Sequence, residues 1–146
     1  MPDVYAAARA LIANRLAIAT QSGDARKADA YADCFTPAGV LQLDGQVLSG
    51  REAIRQWMRA PSVIPAPAAS TATPAYVSHH LTTMRIDLLD EATATARTYW
   101  FVITAHGPDH SGYYDDRLEQ LAGDWLIAHR RPRTLWYSPQ SLVRPA

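Results

Sequence analysis

The sequence predicts an α+β fold, with helices packed on one face of a curved, largely antiparallel sheet. Three observations carry this. Apolar residues recur at helical spacing through the first part of the chain. After Tyr76 a period-two pattern with short turns takes over. The order, helices first and a long meander after them, is that of segregated α+β domains.

The opening segment "PDVYAAARALIANRLAIAT" has Pro2 and Asp3 at its start and apolar residues at Val4, Ala8, Leu11, Ile12, Leu16 and Ala19, which is helical spacing. "QSGD" breaks it, and Asp24 is placed to cap a second short helix, "ARKADAYADCF", whose Ala28, Tyr31 and Phe35 share a face. "TPAG" turns the chain, and "VLQL-DG-QVLS" reads as a hairpin with Asp44-Gly45 as its turn. Ser49 to Glu52 matches the S-x-x-E capping box and opens a helix through Trp57 and Met58 to Ala60. The stretch 61–75 is rich in Pro, Ala, Ser and Thr and reads as a loop, either a binding loop or a surface insertion. Four strands follow, joined by the turns "DE", "HGPDHSG" and "AGD", which makes an antiparallel meander.

Composition narrows the function classes. One domain, 1–146, accommodates 146 residues with a core and a pocket, and 48% hydrophobic content opposes disorder. Basic and acidic residues balance at 14 each, so no nucleic-acid or anionic-membrane partner is expected. Lys27 is the only lysine, a poor basis for Schiff-base chemistry. Cys34 is the only cysteine, which excludes an internal disulfide and multi-cysteine metal sites, and its helical setting beside Phe35 reads as core. No apolar run is long enough for a membrane span and no leader pattern opens the chain, so a cytoplasmic location is expected.

The stretch "YVSHHLTTMRIDLL" sets His79 beside His80 in a strand pattern. Neighbouring strand residues point to opposite faces, so the two do not share one metal ion. "HGPDH", His106 to His110, has chelating spacing but sits in an expected turn without a third ligand, and no metal is assigned. No phosphate loop, G-x-S-x-G elbow or C-x-x-C occurs, and no cofactor is called for. In "YYDDRLEQ", alternation puts Tyr114, Asp116 and Leu118 on one face and Tyr113, Asp115 and Arg117 on the other.

"SGDARKADAYADCFTPAGVL", "LSGREAIRQWM", "SHHLTTMRIDLLDEATATARTYWFVI" and "GYYDDRLEQLAGDWLIAHRR" together resemble the SnoaL-like branch of the nuclear-transport-factor-2-like superfamily. The resemblance implies a cone: three helices against a strongly bent sheet, with an apolar cavity between them. In the dehydratase and dehydrochlorinase members, a histidine early on the first long meander strand abstracts a proton. An aspartate at the end of the first helix orients it. The histidine position falls on His79. The aspartate position falls on Gln21, and an amide can orient an imidazole but cannot stabilise an imidazolium as a carboxylate does. Asp116 is a substitute carboxylate or a buried structural one bonded to a Tyr or an Arg, and both readings stand. Thr98, Trp100, Tyr114 and Trp57 are the implied substrate-binding residues. Arg97, Tyr99 and Phe101 face outward, where this fold commonly forms homodimers.

Alternation by itself sends His80, with Thr82, Met84, Ile86 and Leu88, to the core, and His79 outward. The resemblance requires the reverse, and a β-bulge would reconcile the two. The reading is therefore a cofactor-independent lyase or isomerase acting on a small hydrophobic, aromatic or polycyclic molecule. His79 is its base, since an imidazole with an ordinary pKa of about 6.5 suits proton abstraction at neutral pH. Two alternatives share the resemblance: a non-catalytic binding or assembly module, and the small subunit of a ring-hydroxylating dioxygenase.

Overall fold

The computed structural model describes residues 3, 5–62 and 77–146. Pro2, Val4, Tyr76 and the Pro/Ala-rich loop from residue 63 onward lie outside the described residues. Among the described residues, α1 (Ala6–Asp24), α2 (Ala28–Ala32) and α3 (Arg51–Arg59) pack against a six-stranded sheet. Its strands are β1 (Phe35–Leu43), β2 (Gln46–Ser49), β3 (Val77–Leu88), β4 (Thr93–Thr104), β5 (Gly107–Leu121) and β6 (Asp124–Tyr137). The order is β2-β1-β6-β5-β4-β3. β1 pairs parallel with β6 and the other neighbours are antiparallel, so the α+β expectation holds with a mixed, open sheet. No described helix is long and apolar enough to cross a membrane.

The core lies between the helices and the inner face of the sheet. Ile12, Leu16 and Ala19 recur every three or four residues along α1 and pack with Phe35, Leu41, Ile54, Leu118 and Ile127. Leu11 stays 52% exposed, because one residue along a helix rotates the side chain by about 100° away from that stripe. Cys34 is buried in the same core, and burial pushes its thiol up from the ordinary value.

Several boundaries differ from the sequence expectation, each for a local reason. α1 continues through "QSGD" to Asp24, one turn past the expected break. Ser22 satisfies its buried hydroxyl on Ile18 O at 2.6 Å, and the helix is stopped not by Gly23 but by Arg26, which adopts φ +55°. Asp24 therefore ends α1 rather than capping α2, whose N-cap position is Lys27. α2 is confined to Ala28–Ala32, and Phe35 already belongs to β1. The capping box does not form: Ser49 is paired with Val40 in the β1–β2 ladder, Gly50 takes the N-cap at φ +92°, and Glu52 bonds Arg55. The Asp44-Gly45 turn forms as read, with Leu43 opposite Gln46. "HGPDHSG" is not a free turn, since β5 starts at Gly107 and carries Asp109 and His110 into the interior.

Bulges decide which side chains reach that interior. In β3, Leu81 pairs with Trp100 while Met84 pairs with Thr98, so β3 spends one more residue than β4 over this interval. Parity inverts across it. His79 and Leu81 point inward before the bulge, Met84 and Ile86 after it, and Thr82 and Thr83 are exposed. A second bulge lies in β5, where His110 pairs with Val102 and Pro108 with Ile103, leaving Asp109 as the extra residue. That is how two consecutive residues, Asp109 and His110, are both buried.

Gly112, opposite Trp100 in β4, makes the tightest approach to a neighbouring backbone among the described glycines. A Cβ there would lie 1.9 Å from Arg133 O. Gly112→Ala is expected to force β5 and β6 apart and cost about 3 kcal/mol or more, beyond ordinary overpacking. The midpoint of urea unfolding measures this, and an unchanged midpoint would contradict it.

Candidate active site

Helices and sheet enclose a cavity of about 750 Å³. The last turn of α1 brings Asp24 to its wall, α3 brings Trp57 and Met58, and the sheet supplies His79, Trp100, His110, Tyr114, Arg130 and Tyr137.

The doublet separates as the bulge dictates. His79 faces the cavity. His80 faces out, stacked on Phe101 with ring centroids 4.9 Å apart and bonded to Ser78 through Nε2. Asp24 accepts twice from His79: from its backbone N–H at 2.8 Å through Oδ2, and from Nδ1–H at 2.5 Å through Oδ1. A carboxylate only accepts, so Nδ1 carries the proton and Nε2 keeps the lone pair in the neutral ring. Two bonds to one carboxylate fix both the strand and the ring relative to α1.

Gln21 is corrected here. It is exposed on α1 and does not hold the imidazole. The continuation of α1 by one turn moves the helix end from Gln21 to Asp24, so the carboxylate that seemed to be missing is present three residues on.

Asp116 is also corrected. It is buried, but its two oxygens accept from Arg130 Nε and an Nη–H at 2.8 Å each, and the pair is 0% and 2% exposed. This is the structural reading that the sequence left open, and it pairs Asp116 with Arg130 rather than with His79. Burial by itself would lower Arg130, but the charge and hydrogen bonds of Asp116 outweigh it and hold the guanidinium well above its ordinary value. The guanidinium also lies over the Tyr114 ring, 4.1 Å from its centroid. Burial pushes the Tyr114 phenol up despite the opposing pull of Arg130, so it stays a neutral donor facing the cavity.

Of the expected substrate-binding residues, Trp57, Trp100 and Tyr114 line the cavity. Thr98 does not. It is 0% exposed in β4, between its ladder partners Met84 and Tyr114, and among the described residues its hydroxyl has no hydrogen-bond partner. On the outer face, Tyr99 and Phe101 are exposed, as the resemblance implied.

A second histidine was missed. His110 lines the same cavity and donates from Nδ1 to Asp109 Oδ2 at 2.7 Å. Its ring is edge-on to His79 at 6.4 Å between centroids and to Trp100 at 5.4 Å. The signal was its parity with Tyr114 and Asp116, which the expected turn cut off. Among the described residues no group of three His, Cys, Asp or Glu is placed to hold a metal ion.

Burial lowers His110 below its ordinary value, against the opposing pull of Asp109, and the neighbouring His79 lowers it further. For Asp109, burial acts upward, but hydrogen bonds from Ser141, Leu142 and His110 outweigh it and hold the carboxyl low. The signs give separate pH windows. An unfolded His110 takes up a proton at about pH 6.5, whereas the folded one resists it, so stability falls as pH drops below that value. The Asp109 contribution is lost only further down, as pH falls below the unfolded carboxyl value of about 3.9. Denaturant titrations between pH 8 and 5 should show a shallower loss in His110→Gln than in the wild type. Parallel curves would contradict this.

A SnoaL-like domain model matches residues 4–131. The chain belongs to the SnoaL-like family. Solved structures agree in fold. A Novosphingobium aromaticivorans protein named as a candidate scytalone dehydratase superposes with a TM-score of 0.79 at 19% identity, covering 100% of this chain and 95% of that one. A Mycobacterium tuberculosis protein of unknown function has a TM-score of 0.71 at 28% identity, covering 92% of this chain and 75% of that one. A Catenulispora acidiphila structure in complex with S-DNPA has a TM-score of 0.69 at 28% identity, with 87% and 94% covered. No curated protein matches the chain.

Proposed function

We propose that this SnoaL-like protein is a cofactor-independent lyase or isomerase that removes a carbon-bound proton from a small hydrophobic, aromatic substrate. The observation that carries this is the Asp24–His79 pair at the cavity wall. Asp24 fixes the tautomer that leaves Nε2 as a base, and it stabilises the imidazolium formed when Nε2 takes the proton. Among the described residues, Nε2 has no protein partner. Trp100, with its ring 6.0 Å from that of His79, and Trp57 supply apolar walls for an aromatic substrate. The Tyr114 phenol is the donor available to a carbonyl oxygen that gains charge as the proton leaves. That the Catenulispora structure is in complex with S-DNPA supports a ligand-holding role for this fold.

The base can be assayed without the native substrate. 5-Nitrobenzisoxazole is flat and aromatic. Loss of its ring C–H proton sends the electron pair into a nitrile and breaks the N–O bond, releasing a coloured phenolate. The purified protein should open it faster than free imidazole at equal concentration, with a rate that saturates in probe. Saturable binding with no acceleration would support instead the binding-module alternative and overturn the enzyme reading.

A further inference from the structure

The family match ends at residue 131, yet the segment beyond it helps build the cavity wall through Thr134, Tyr137 and Val143. It also does something more specific. After β6 the chain turns back over the bulge in β5, and three of its groups converge on Asp109. Ser138 N–H donates to the Asp109 backbone carbonyl at 2.8 Å, Ser141 Oγ–H to Oδ2 at 2.7 Å, and Leu142 N–H to Oδ1 at 3.0 Å.

We propose that Asp109 and His110 form a second proton-transfer dyad beside His79 on the sheet wall of the cavity, with Asp109 a positioning residue that the C-terminal turn clasps in place. This rests on the reading of the cavity as a proton-abstraction site.

A buried carboxylate is costly unless its lone pairs are used. At 2% exposure Asp109 meets that condition through two donors from the C-terminal turn and one from His110 Nδ1–H. The ring it orients is held between Trp100 and Tyr137, the latter stacked at 6.2 Å. As with His79, the Nδ1 bond leaves Nε2 with the lone pair in the neutral ring. The bulge explains how this arises, because an unbulged strand would send the side chains of residues 109 and 110 to opposite faces.

Two neutral imidazoles on one cavity suit a substrate with two hydrogens to handle, an acidic C–H beside a carbonyl and a nearby O–H. His79 Nε2 takes the carbon-bound proton and the electron pair moves into the carbonyl as an enolate. His110 Nε2 accepts the hydroxyl hydrogen bond. A hydroxy-carbonyl compound uses both groups, whereas a substrate without a hydroxyl leaves His110 Nε2 free to take a carbon-bound proton itself when His79 is removed.

Imidazole nitrogen NMR on the full-length, histidine-labelled protein reads the ring tautomers directly. His110 should carry its proton on Nδ1, and Ser141→Ala should shift its nitrogen signals while leaving those of His79 in place. In a His79→Ala background, adding His110→Gln should lower the residual opening of 5-nitrobenzisoxazole by roughly tenfold, the small end of what a positioned base contributes. Three results would each overturn the dyad: an Nε2–H tautomer at His110, signals indifferent to Ser141→Ala, or an unchanged residual rate. Because the NMR signature needs no turnover, a wild type inert to the probe but showing that signature would overturn the base-catalysis reading while the clasp on Asp109 stands.

Discussion

Asp24→Asn is expected to slow probe ring opening by about two to four orders of magnitude, and His79→Ala to bring it to within about a factor of ten of the solution rate. The carboxylate has two tasks. It accepts Nδ1–H and the backbone N–H of His79, which sets ring and strand together. It also offsets the positive charge that appears when Nε2 takes a proton. An amide keeps one acceptor oxygen for the first task and lacks the charge for the second. In the Ser-His-Asp triad the comparable change loses about 10⁴ in turnover. The contrast with Gln21→Ala is informative, because Gln21 is exposed and takes no part in the Asp24–His79 hydrogen bonds, and its loss should leave the rate within a factor of about two. Steady-state rates for the three variants, beside binding of an aromatic competitor to confirm an intact cavity, measure this. Equal rates in Asp24→Asn and wild type would remove the dyad from the mechanism.

Arg130→Met should be the most destabilising of the site substitutions. It leaves Asp116 buried at 0% side-chain exposure with neither of its guanidinium donors. Breaking a buried ion pair from one side costs about 3–5 kcal/mol. For a chain of this size that corresponds to a fall of roughly 6–20 °C in melting temperature. The double variant Arg130→Met, Asp116→Leu should recover most of the loss, since two apolar side chains of similar volume need no donors. Thermal unfolding of wild type, single and double variants decides the matter. A double variant no better than the single would mean that the pair, and not only its satisfaction, holds β5 against β6. Loss of the cation under the Tyr114 ring should also loosen that wall of the cavity.

Much of the fold was legible because its signals are local. Helical spacing in α1, the Asp44-Gly45 hairpin and the long period-two runs each need only neighbouring residues to be read. Errors gathered where a longer-range partner outweighed a local preference. Gly23 looks like a helix stop, but α1 ends instead where Arg26 turns left-handed. Ser49 looks like a cap, but its backbone is taken up in a ladder with Val40. Asp109 and His110 look like turn residues, but a bulge and the returning C-terminal turn draw them inside.

The candidate site shows the same division. His79 was reached through a resemblance, against the alternation of its own strand, and the one extra residue between Leu81 and Met84 reconciles the two. The sequence by itself determined that helices precede a meander, that the two histidines of the doublet face opposite ways, and that Tyr114 and Asp116 share a face. Those follow from residue periods of 3.6 and 2, which are fixed by backbone geometry. Only the tertiary structure decided which histidine faces in, that Asp24 and not Gln21 accepts from it, that Asp116 answers to Arg130, and that His110 joins the cavity. A bulge or a helix end shifts parity by one residue, and its position is set by packing between elements distant in the chain.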